Sequence, residues 1–164
     1  MMSERHTSTV DIKMDGGGLT PFSAIHNHEH VSIDDSDLVE VLRGEGPDGL
    51  MWRILAGGSP EDFATFAERG TRGALKTSGM RGPKLYPGQV VNTWIGQADQ
   101  SPPFVMVRAA PEVTRVVAVC ASGDEYRLTF SDVIEPFELR FGGTFLPETD
   151  PVADLRVESS IAPQ

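Results

Sequence analysis

The chain is short of cysteine, of long apolar runs and of cations, and each shortage excludes something. It has a single cysteine, Cys120, so a disulfide framework is ruled out. A free cysteine inside a strand behaves as a small buried hydrophobe, and nothing beside it spells a site that would favour the thiolate. No stretch approaches the roughly 20 apolar residues of a membrane-spanning helix. The opening MMSERHTSTVDIKMDGGG lacks the apolar core of a secretory signal. Lys and Arg number 14 against 24 Asp and Glu, for a formal net charge of -10. Nucleic acid and membrane are therefore not expected as partners, because phosphate binding needs clustered cations to release counterions. These shortages lead to an expectation of a soluble, cytoplasmic protein whose acidity keeps its copies apart. Apolar content is only 39% and aromatic content 7%, whereas Gly 17 and Pro 12 are high. Such a balance favours many turns and short strands over long helices. At 164 residues the chain is expected to form one domain.

What is present is clearest over residues 113–130, VTRVVAVCASGDEYRLTF. The first limb alternates, with Val113, Val117, Val119 and Ala121 on one side together with Arg115. On the second limb Tyr126, Leu128 and Phe130 share a face, and Arg127 and Thr129 take the other. Alternation on both limbs about Ser122-Gly123-Asp124 predicts an antiparallel hairpin, with Gly123 supplying positive φ at the turn. On this phase Val119 belongs to the core, and Val119→Asp is expected to unfold the domain.

Further strands are expected over residues 10–15, 51–55, 90–95, 104–108, 137–141 and 153–158. Residues 38–42 read either as a short helix or as a strand hairpinned onto 50–56 across Pro47-Asp48-Gly49, and the hairpin is preferred. Residues 59–69 are ambiguous too: Ser59-Pro60-Glu61-Asp62 spells a helix start, yet a strand also fits. Residues 70–83 read as a basic, turn-rich loop. The fold class is all-β, an antiparallel β-sandwich of about seven to eight short strands with room for one short helix. Three segments follow: a flexible N-terminal segment, 1–36, carrying a histidine cluster; a sandwich domain, 37–158; and a flexible tail, 159–164, expected to fray.

The run PPFVMVRAAPEVTRVVAVCASGDEYRLTF, followed by Phe141 and Leu146-Pro147 and preceded by a Trp52-Arg53 strand, resembles the layout of uncharacterised small β-sandwich domains from actinobacteria. Those have a strand leading to Arg-Ala, then Pro-Glu-Val, a hairpin, and an aromatic strand before Leu-Pro. The resemblance implies an immunoglobulin-like sandwich and carries no known activity. The HNHEH stretch and the missing signal depart from the secreted members of such groups, which argues against an extracellular setting.

His26, His28 and His30 are the only clustered candidate ligands. In an extended chain, residues two apart point the same way, and neutral imidazole suits a zinc-type ion. A structural zinc wants four fixed ligands and a catalytic one three with an open position. The other reading of the cluster is an exposed polar loop whose histidines titrate near neutrality. An amidohydrolase-type His-x-His site does not fit, since that chemistry sits on barrels of about 250 residues. A cupin-like order, His28-x-His30 then Tyr86-Pro87-Gly88-Gln89, is broken because Asp99 stands where the second motif needs histidine. Gly44-x-Gly46-x-x-Gly49 matches a dinucleotide string without its strand–turn–helix setting. Trp52 and Trp94 are expected in the core.

No catalytic residue and no cofactor is expected from the spelling. The chain reads as a non-catalytic module that serves a structural role or contacts an unknown protein partner. The alternative is a zinc-type or cupin-like domain using His26, His28 and His30. Metal content, with and without those histidines, separates the two.

Overall fold

The computed structural model describes residues 6–13, 38–97 and 101–161. Twelve strands run β1 His6–Lys13, β2 Val39–Glu45, β3 Met51–Gly58, β4 Phe63–Thr71, β5 Ala74–Gly82, β6 Val91–Gly96, β7 Phe104–Ala109, β8 Val113–Cys120, β9 Glu125–Arg127, β10 Thr129–Phe130, β11 Arg140–Phe145 and β12 Val152–Ile161. They form three four-stranded sheets: sheet A, β1-β12-β8-β9; sheet B, β10-β11-β7-β6; and sheet C, β2-β3-β4-β5. Every pairing is antiparallel. The expected sandwich is there, with more strands than the sequence suggested and a third sheet. The only helical element among the described residues is the single 3-10 turn Pro47–Gly49.

Sheet B lies between the other two, because its strands are apolar on both faces. Along β7, Val105, Val107 and Ala109 join Val113, Val116, Ala118, Leu155 and Val157 of sheet A in one core. Phe104 and Met106 join Trp52, Ile54, Phe63, Ala67 and Met80 of sheet C in a second. Every residue of β7 is buried, as two covered faces require. Trp52 and Trp94 are both interior, and both lie in the second core.

The hairpin at 113–130 forms, but its second limb is divided. Tyr126 pairs with Ala118, and Arg127 with Val117. At Leu128 the chain leaves sheet A, and β10 pairs with β11 in sheet B instead. Gly123 takes φ 96° at the turn. Tyr126, Leu128 and Phe130 do share the first core. The phase expected for β8 needs correction. Val116 and Ala118 are fully buried there, and Val119 is only half-buried. Both phases of VTRVVAVC are apolar, so alternation alone could not choose. A register shift against β12 between Glu158 and Ser159 places Val113 in the core with Val116.

Residues 39–45 are a strand hairpinned onto β3, with Asp48 at φ 55° and Gly49 at φ 77° in the turn. The helix-start signal at Ser59 makes only a turn: the Asp62 amide donates to Ser59 Oγ at 3.1 Å. The chain then enters β4, whose residues 63–67 are all buried. Strands on both sides, β3 and β5, decide against helix. The loop expected over 70–83 is largely β5, an edge strand whose exposed first half carries no apolar alternation to read. In β5, Gly79 lies under the Phe66 ring, and a Cβ there would stand 2.7 Å from Phe66 Cα. β11 begins at Arg140 rather than 137, because Glu138 turns at φ 55° and donates its amide to Ile134 O at 2.8 Å.

The N-terminal segment contributes β1, opposite β12. β12 runs to Ile161, past Ser159 where fraying was expected, because His6, Thr7 and Ser8 pair with its last residues. Among the described residues no helix is long and apolar enough to cross a membrane.

Candidate functional site

The crossing from sheet A to sheet B leaves an open groove of about 390 Å³. Its lining comes from Thr114 of β8, Arg127 at the end of β9, Leu128, Thr129 and Phe130 of the crossing, Ser131, Asp132, and Arg140 at the start of β11. Such a volume is in the range of small binding sites, about 300–1,000 Å³. The lining is mainly polar; Leu128 is buried, and the Phe130 ring lies over Gly142, where a Cβ would stand 2.6 Å from Phe130 Cδ1. Ser131 is locked into the backbone. Its hydroxyl donates to Asp132 O at 2.7 Å and accepts the Phe141 amide at 2.9 Å.

Arginine partnering marks the groove, although Arg72, alone in the β4–β5 turn, also meets no carboxylate among the described residues. Arg43 meets Glu40, Arg53 meets Glu68, Arg81 meets Asp62, Arg115 meets Glu158, and Arg156 meets Glu125. Arg69 and Arg108 are buried between sheets B and C under aromatic rings. Arg127 and Arg140 meet no carboxylate among the described residues, yet both line one groove. Arg140 is oriented by one bond, Nε to Pro111 O at 3.0 Å. The groove has one carboxylate of its own, Asp132, which is exposed. β9 and β10 are edge strands of their sheets, so main-chain donors and acceptors face outward along this crossing.

Two other places were candidates by chemistry. Arg108 lies against the second core with no carboxylate partner among the described residues. It donates to Phe63 O at 3.1 Å, Thr65 Oγ1 at 3.0 Å and Pro83 O at 2.7 Å. Burial lowers its pKa to about 10, against a slight opposing pull from Tyr86. These bonds tie β7 of sheet B to sheet C, a structural task. At the β8–β9 turn, Ser122 Oγ bonds Asp150, and the Ser122 amide donates to Asp150 Oδ1 at 3.0 Å. Nearby Cys120 is buried. Burial first, then Asp150 and Asp124, push its thiol pKa up, so it stays protonated.

His26, His28 and His30 lie outside the described residues. Among the described residues no group of three or more His, Cys, Asp or Glu is placed to hold a metal. The sequence reading assigned Arg127 and Arg140 to strands and gave them no role. What brings them together is the sheet crossing at Leu128. Compared with known protein families, curated proteins and solved structures, the chain matches none.

Proposed function

We propose that this chain is a non-catalytic β-sandwich module that binds a protein partner, in the cytoplasm, through the groove at the sheet crossing. One observation carries the reading: in a chain of net charge -10, Arg127 and Arg140 stand on one groove without carboxylate partners among the described residues. An unpaired arginine offers planar donor pairs that a partner's acceptor can meet. Ser131, the groove's one serine, has its hydroxyl engaged by the backbone. A lone buried thiol also suits a reducing compartment.

The test is site-specific photocrosslinking of the full chain in its own cells. A crosslinker at Thr129 should give a discrete adduct that disappears in the Arg127→Glu, Arg140→Glu double variant. A crosslinker at Leu75, on exposed β5, should not give that adduct. The same adducts from both positions, or none from Thr129, would overturn the reading.

A further inference from the structure

We infer that the groove recognises an extended, carboxylate-bearing peptide segment laid along the β9–β10 crossing. This rests on the proposed function and names the chemistry that would satisfy it. Three features converge. First, Arg127 and Arg140 line the same groove without carboxylate partners among the described residues, and Arg140 is held in place by Pro111 O. A guanidinium fork meets a carboxylate through two parallel bonds, a geometry that a lysine point charge cannot copy. Second, β9 and β10 are sheet edges, so an added strand can pair with the outward backbone, and alternate side chains of that strand then face the groove. Third, the half-buried Phe130 adds an apolar contact to a mainly polar lining and Asp132 an acceptor, suited to one side chain and one N–H or cation of the same segment.

Charge complementarity decides between anion classes. Two arginines beside an aspartate match one or two carboxylates. They do not match a continuous phosphate backbone, which meets a chain of net charge -10 and a groove with its own acid. Acidic peptide is therefore favoured over nucleic acid.

The experiment uses the full chain and a fluorescent peptide of alternating Glu and Val, with a Gln-for-Glu peptide, inorganic phosphate and duplex DNA as competing probes. Anisotropy is read at low and at physiological salt. The Glu peptide should bind, weaken about tenfold in Arg127→Gln and again in Arg140→Gln, and weaken with salt. The Gln peptide should bind at least tenfold less tightly than the Glu peptide. Thermal melts of both variants should match the parent, since neither side chain is buried. Equal binding of Glu and Gln peptides, indifference to both substitutions, or binding of phosphate or DNA alone would overturn the inference. An adduct from Thr129 in cells together with no acidic-peptide binding would sink this chemistry and leave the groove's role as a partner site standing. Absence of both would sink the two together.

Discussion

Arg108 is a buried cation with a hydrogen-bonding task between two sheets, which makes it informative to change. Its charge is buried with no carboxylate partner among the described residues, and it satisfies Phe63 O, Thr65 Oγ1 and Pro83 O. Arg108→Met removes the charge but strands those acceptors, each worth about 1–3 kcal/mol when left unpaired. The variant should lose about 2–4 kcal/mol at neutral pH by urea unfolding. The sign with pH follows from a folded pKa of about 10, below the ordinary arginine value. Below about pH 9 native and unfolded chains both keep the proton, so the gap between parent and variant is constant. Above about pH 10 the unfolded chain holds more protons than the native one, so the parent gains stability relative to Arg108→Met. A gap that stays flat to about pH 11 would show that the guanidinium is better solvated than its burial implies. Cys120 gives a second residue-level check. Buried and held protonated, it should resist an aromatic disulfide reagent until denaturant is added. Stoichiometric labelling of the native protein would contradict that placement.

At the scale of single elements, β8 shows where alternation stops being decisive. Val116→Asp puts an unpaired charge at a fully buried position and should cost about 4 kcal/mol or more, leaving little folded protein by circular dichroism. Val119→Asp, at a half-buried position facing Glu125 and Asp154 across the sheet, should cost only about 1–2 kcal/mol. The reverse order would restore the phase read from the sequence. The hairpin and its turn were legible because Gly123 and the flanking β-branched residues agree. The phase was not, because Val116, Val117, Ala118 and Val119 leave both faces apolar. Residues 59–69 failed for a related reason. Ser59 and Pro60 signal a helix locally, and FATFA fits a buried helix or a buried strand equally, so the outcome rests on β3 and β5, pairings that only the assembled sheet contains. β5 was read as loop because an exposed edge strand with Gly79 and Gly82 has neither alternation nor continuous apolar character. The groove was illegible for a third reason: its two arginines belong to different sheets, and no local pattern announces that a strand changes sheet at Leu128.

Over the whole molecule, the three-layer arrangement makes the outer sheets depend on sheet B, while sheet A also depends on β1. β12 pairs with β1 over eight positions, from His6–Ile161 to Lys13–Asp154. Removal of residues 1–13 should leave β12 as a bare edge with its pairing groups open. Loss of about 5–10 °C in melting temperature is expected, together with self-association by light scattering. An unchanged melt and a monodisperse truncation would mean that β1 contributes nothing to sheet A's stability. The same pairing sets His6 beside Ile161, neighbours across one ladder, although they lie at opposite ends of the described chain. A circular permutant follows from that adjacency. Joining the two ends through a short glycine-serine link and opening the chain between Arg72 and Gly73, in the β4–β5 turn, cuts no ladder and should yield the same fold under a new residue order.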